Sequence, residues 1–326
     1  MHVKAITTKK EWQDFIEKNK PQTFLHSYEW GDFEYSLKRN IWRLGIYSNA
    51  TLVAVALLSK ISARRGTFLL CPHGPIIAVE FLSQIQEVIA TLRDEIKKIG
   101  KSEKADFIRI STLSLNTEEN RSGFKAAGFR NAPIHMHSEL AWILDVSKSE
   151  EDLLKGMKKN HRYSIKKAEK DGVTVRSVTS YSEQEFELFW EIYMSTVARQ
   201  KFTPYGKDYL KKEFQLFFET NHAVLFFGEY QNKAISTAFV VYSNAAGFYH
   251  HGASDNTFPG ITPSELVQWE AIKEAKKRGC GHYNFWGIVP ETAVKHPWFG
   301  LSKFKRGFGG YAEEYVHAQD FVLTSK

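Results

Sequence analysis

Cysteine is nearly absent: Cys71 and Cys280 are the two in the chain, far apart and in unrelated contexts. That scarcity excludes a disulfide framework and a thiolate zinc site, and it fits a reduced, cytoplasmic setting. Long apolar runs are missing too. No stretch approaches the roughly 20 consecutive apolar residues of a membrane span, and Met1-His2-Val3-Lys4-Ala5 leads into polar sequence rather than an apolar signal core. The expectation is a soluble protein whose membrane contact, if any, is peripheral. The chain also has no G-x-x-x-x-G-K-[ST] phosphate loop, no G-x-G-x-x-G, no H-E-x-x-H and no G-x-S-x-G nucleophile elbow. His26, His73, His135 and His137 are scattered, and a lone histidine is more often structural than catalytic. His250 and His251 are neighbours on an expected strand, where successive side chains point to opposite faces, so they are not expected to clamp an ion together. No metal, redox centre or cofactor is expected.

What is present describes a globular protein. Hydrophobic residues make up 43% and charged residues 25%, a balance that excludes disorder. Aromatics reach 14%, with 24 Phe and 14 Tyr, enough for stacking surfaces as well as core. A net charge of +7 and a pI near 9.1 point towards anionic partners: nucleic acid, phosphorylated substrates or an acidic membrane surface.

Two passages share one order of elements. In the first, strands at Trp42 to Tyr47, Leu52 to Leu58 and Thr67 to Leu70 precede Gly74-Pro75, a helix from about Phe81 to Ile99 and the strand Phe107 to Ile110. In the second, strands at Ala223 to Glu229, Ala234 to Tyr242 and Gly247 to His251 precede a helix from about Pro263 to Arg278 and the strand His282 to Trp286. Each passage then reaches a Phe-Lys followed by a Gly-Phe, at Phe124 to Phe129 and at Phe304 to Phe308. Antiparallel strands, a crossover helix and a further strand make an α/β unit, here occurring twice. The expected domains are 1–148 and 149–310, with the chain end at about 311–326 returning to the first.

The second crossover helix carries strong local signals. Thr262 and Glu265 have capping-box spacing, Pro263 suits a first turn, and Gly279 suits a left-handed termination. Between the halves, Glu150 to Asp171 reads EEDLLKGMKKNHRYSIKKAEKD. At 3.6 residues per turn, Leu154, Met157, His161, Ile165 and Ala168 share one side, while Lys155, Lys159, Arg162, Lys166 and Lys170 line the other. Such a stripe is either the footprint of a phosphate backbone or an ordinary solvated face. His161 reads as a packing residue.

Further segments carry a family resemblance. Phe24-Leu25-His26-Ser27-Tyr28-Glu29-Trp30-Gly31, the basic run Lys158 to Val173, Gly252-Ala253-Ser254, Leu266 to Ile272, Tyr283 to Ile288 and Phe304-Lys305-Arg306-Gly307-Phe308-Gly309-Gly310 occur in order and with sensible spacing. Together they resemble the Fem family of peptidoglycan aminoacyltransferases, in a compact form without the coiled-coil arm of some relatives.

The resemblance implies two tandem GNAT-like α/β domains, an aminoacyl-tRNA donor and a peptidoglycan precursor as acceptor, and the chain is expected to act as a monomer. An amine of the stem peptide would attack the activated ester, so positioning and oxyanion stabilisation can supply most of the catalysis. Lys305 matches the position that supports this charge or a nearby phosphate, with Phe304 shaping the site. No side chain stands out as a general base, and substrate-assisted transfer is the expected route. Trp30, Lys38, Arg39, Tyr205, Tyr209 and Tyr249 are the acceptor-binding candidates. Lys155, Lys159, Arg162, Lys166 and Lys170 are the tRNA-binding candidates, with Tyr249, Tyr283, Trp286 and Trp298 as rings on which unstacked bases could lie. Relatives with a nucleotide-linked acceptor carry cations near the positions of Glu34 and Tyr205. This chain does not, although Lys38 and Arg39 could substitute. The acceptor stays open between lipid II, which would bring the protein to the inner membrane face, and UDP-MurNAc-pentapeptide. Two rival readings are a non-catalytic RNA-binding protein and an acyl-CoA N-acyltransferase. The second lacks its pyrophosphate turn at Asn256 to Pro263.

Overall fold

The computed structural model describes residues 1–63 and 66–324. By packing, the chain divides into one unit of Met1–Leu140 with Glu313–Lys326 and a second of Ala141–Ala312. The first boundary falls before residue 148, and the reason is a strand. Leu140–Asp145 pairs antiparallel with His282–Gly287, placing Ile143 opposite Asn284 and Leu144 opposite Tyr283, so it belongs to the second sheet. At the chain end, Gln319–Val322 pairs antiparallel with Phe107–Ser111 in the first unit. Ser325 and Lys326, the last of the expected return, lie outside the described residues.

Among the described residues the first unit carries an eight-stranded sheet. Its order is His2–Ala5, Ile41–Ser48, Thr51–Ala63, Gly66–Pro72, Phe107–Ser111, Gln319–Val322 and Arg130–Asn131, with Ile76–Ile77 beside Thr51–Ala63. The helix Ile85–Ser102 covers it with Ile85, Val88, Ile89, Leu92 and Ile96, the i, i+3, i+4, i+7 stripe of a core-facing helix. Arg109 and Asp320 form a buried bidentate pair, with both contacts at 2.7 Å, across neighbouring strands.

The seven-stranded sheet of the second unit runs Tyr311–Glu314, Leu140–Asp145, His282–Gly287, Ala246–Ser254, Lys233–Ser243, Ala223–Tyr230 and Thr174–Val178. The helix Ser264–Lys277 buries Leu266, Trp269, Ile272 and Ala275 against it. Its start differs from the expectation: Pro263 is the cap, no side chain caps it, and the Thr262–Glu265 box does not form. Its end is as the residues suggest, with Gly279 at φ +73° and the Cys280 amide donating to the Ala275 carbonyl.

The expected single helix from Glu150 to Asp171 is two helices, Glu150–Gly156 and Lys159–Lys170. The break at Met157 and Lys158 has identifiable causes. Met157 turns into the core at ψ 150°, and the Lys158 amide donates to the Gly307 carbonyl at 2.8 Å. One guanidinium nitrogen of Arg162 reaches the carbonyls of Lys155 and Met157, closing the end of the first helix.

Candidate functional site

Both units contain a parallel strand pair, and only one of the pairs opens. In the first unit Gly66–Pro72 and Phe107–Ser111 stay paired from Phe68↔Phe107 to Pro72↔Ser111. In the second, Ala246–Ser254 and His282–Gly287 pair at Ala246↔His282, Gly247↔Tyr283 and Phe248↔Asn284, and their remaining residues are not paired with each other. Each strand leaves through a bulge. One follows Val240↔Tyr249, where His250 is the extra residue before Phe239↔His251. The other lies between Asn284 and Gly287, where Trp286 takes φ +63°, unusual for a bulky residue. The Trp286 amide is held by the Asn284 side chain at 2.7 Å. A parallel pair that splays at its carboxyl ends is a place where α/β sheets bind ligands.

Lys305 lies at this end. It belongs to the short helix Phe299–Arg306, is 6% exposed, and donates from Nζ to the Gly287 carbonyl at 2.6 Å. Burial pushes its pKa down to about 7. Among the described residues no carboxylate pairs with it, an arrangement better suited to receiving an anion than to holding the fold. Its helix is tied down on both sides. Ser302 Oγ accepts from the Val289 amide at 2.9 Å, and Arg306 donates to the Val289 carbonyl at 2.5 Å. Phe304 is half-buried, and its carbonyl accepts from His161 Nε2 at 2.9 Å. His161 is thus the packing residue its helical position suggests: its ring meets Phe308 edge-on at 4.8 Å, and burial lowers its pKa.

The glycines of the Phe304–Gly310 segment have steric reasons. A Cβ on Gly307 would lie 1.9 Å from the His161 ring, and one on Gly310, at φ +100°, 2.2 Å from the Ile143 carbonyl. The segment is a close-packed clamp that presents Lys305, and this explains its composition better than direct substrate contact by every residue would.

Comparison with known proteins identifies the family and the fold. The sequence matches the FemAB family over residues 7–134, 120–234 and 219–321. The chain belongs to the FemAB family. A lipid II:glycine glycyltransferase of Staphylococcus aureus (strain MRSA252) is 21% identical to it, over 99% of this chain and 93% of that protein. The crystal structure of FemX superposes with a TM-score of 0.85 at 19% identity, covering 99% of this chain and 98% of that one. A tandem GNAT protein from the clavulanic acid biosynthesis pathway gives 0.61 at 8% identity, covering 100% and 99%. The fold of this FemAB protein is therefore two GNAT-like units.

The other site candidates of the FemAB chain separate by environment. Lys159, Lys166 and Lys170 are exposed and have no ion-pair partner among the described residues. Arg162 is half-buried and occupied with the helix junction, while Lys155 sits on the preceding helix, paired with Glu151 at 2.7 Å. The stripe is thus shorter than its sequence. Trp30 is 7% exposed between Phe24 and Phe33, a packing residue of the first unit rather than a contact surface. Arg39 makes two 2.8 Å bonds to the buried Glu34 carboxylate, so its charge is already matched. Lys38 is exposed at φ +63°. Tyr205, 52% exposed, stacks on Tyr209 at 5.3 Å, and Tyr249 is half-buried with its phenol pushed up to about 12 by burial.

Sequence reasoning missed Glu213. It lies on the helix Lys207–Glu219, is fully buried, and accepts from His250 Nε2 and His251 Nε2, each at 2.8 Å. The two histidines share a partner because the bulge at His250 cancels the strand alternation that should have separated them. Burial opposes the carboxylate's charge, but the two imidazoles outweigh it and hold the Glu213 pKa at about 2. No sequence signal joins residues 37 positions apart. His26 is structural: its Nε2 accepts from the Leu57 amide, its Nδ1 donates to Pro72, and burial takes its pKa to about 4.

Proposed function

We propose that this FemAB protein transfers an amino acid from an aminoacyl-tRNA to the stem peptide of a lipid-linked peptidoglycan precursor, building an interpeptide bridge. The observation carrying this reading is Lys305: a buried lysine amine with no carboxylate partner among the described residues, at the open end of a splayed parallel pair. An amine of the stem peptide attacks the ester carbonyl, a tetrahedral oxyanion forms, and its charge or a neighbouring phosphate draws Lys305 away from the Gly287 carbonyl. The amide bond forms as the ester C–O bond breaks. The proton lost by the amine ends on the released ribose hydroxyl, in keeping with transfer that needs no protein base.

The lipid-linked acceptor is supported by the name of the Staphylococcus aureus relative, a lipid II:glycine glycyltransferase. Arg39 is paired with Glu34, so of the two cations first considered for a diphosphate, Lys38 is the exposed one. The exposed face of Lys159, Lys166 and Lys170 supports an RNA donor, since such a face follows a phosphate backbone without needing base contacts.

The test is transfer of radiolabel from a mixed pool of aminoacyl-tRNAs to lipid-linked and nucleotide-linked precursors in parallel. Label on the lipid-linked precursor is expected. Label confined to the nucleotide-linked one overturns the acceptor assignment, and no label on either overturns the activity.

A further inference from the structure

Independently of the transfer reading, we propose that Glu213, His250 and His251 form a site for one divalent transition-metal ion of the zinc class. The three offer one carboxylate oxygen and two imidazole nitrogens, all within 4.8 Å of one another. Two histidines and one glutamate are a three-ligand set that zinc takes up, leaving a further position for water or substrate. The set comes from two elements, the helix Lys207–Glu219 and the strand Ala246–Ser254.

Three features favour an ion over a purely hydrogen-bonded cluster. The strand gives up its regular register at His250, and that bulge is what turns two consecutive imidazoles onto one carboxylate. The Glu213 carboxylate is completely buried, and among the described residues no lysine or arginine pairs with it. A divalent ion would take the place of the two N–H donors, bound by one lone pair of each imidazole and by the carboxylate. The surroundings suit it as well. The His251 ring is walled by Phe239 at 6.2 Å, Phe214 at 6.3 Å and Tyr205 at 5.6 Å, which keeps the dielectric low. His250, with 13% of its side chain exposed, is the member an ion would meet first. A bound ion would fix the helix to the sheet and, with it, the Tyr205–Tyr209 stack at the helix start.

The test uses the full, tag-free chain, stripped with chelator and dialysed. Zn²⁺ is titrated by calorimetry, and Co²⁺ by the visible bands of the tetrahedral ion. One saturable equivalent is expected, with a zinc-dependent rise in melting temperature. His250→Ala, at the most accessible ligand, should keep the fold by circular dichroism while weakening zinc binding at least about tenfold and removing the rise. Glu213→Gln should do the same if it folds. Failure of the folded wild-type protein to take up an equivalent overturns the site. So does uptake that His250→Ala leaves unchanged, since the ion is then held elsewhere.

Discussion

Replacing Lys305 with methionine tests whether this lysine really is held near neutrality. Methionine matches the unbranched side chain as far as Cε and removes the charged nitrogen with its hydrogen bond to Gly287. In the unfolded chain the lysine keeps its proton up to its ordinary value of 10.5, whereas the folded protein sheds it through about 7. Between those values the unfolded state binds more protons, so wild-type stability rises with pH across that window, and the variant lacks this contribution. From pH 7 to pH 9 the wild type should gain about 2 kcal/mol relative to Lys305→Met. Urea unfolding of both proteins at pH 7, 8 and 9 reads this as a difference of slopes, which is insensitive to the constant offset from the missing hydrogen bond. The same variant should lose about 10²–10³ in transfer rate, the usual effect of removing an oxyanion-stabilising donor, while tRNA binding persists. Parallel stability slopes in the two proteins would refute the buried-amine argument. Unchanged transfer would remove Lys305 from the chemistry.

Three other outcomes follow from the geometry. Charge reversal at Lys159, Lys166 and Lys170 should flatten the salt dependence of tRNA binding by about 0.7–0.9 in log–log slope for each phosphate that the protein no longer neutralises. Arg162 is left intact there because it closes the helix junction, and an unaltered slope would make the face merely solvated. Asp320→Asn should cost about 3–5 kcal/mol by leaving Arg109 buried and unmatched, while joint replacement of the pair by apolar residues should restore much of the urea midpoint. Gly310→Ala should lower the melting temperature far more than Gly172→Ala. Both have positive φ, but an added Cβ at Gly172 meets open space, so that change costs roughly 1 kcal/mol, whereas at Gly310 the Ile143 backbone must move.

Much of the architecture was legible in the residues. Alternating β-branched and aromatic runs gave strands that extend by a few residues beyond their expected limits. Trp42 to Tyr47 became Ile41–Ser48, and Ala234 to Tyr242 became Lys233–Ser243, because paired edges lengthen a strand past its apolar centre. The buried side of the basic segment, from Met157 to Ala168, was also set by local periodicity.

The tertiary structure decided what local pattern could not express. The basic segment kept its face but not its continuity, since the distant Gly307 carbonyl and the Arg162 guanidinium, turned back from the stripe onto the chain, stabilise a break at Met157. Arg39 looked like an available cation until the chain placed Glu34 against it. Alternation predicted opposite faces for His250 and His251. One extra residue in the strand reversed that, and Glu213, arriving from a separate helix, gave both imidazoles a common partner. A residue's type and its local period fix which face it prefers. Which distant group meets it there depends on bulges, breaks and close approaches, and those exist only once the elements are packed.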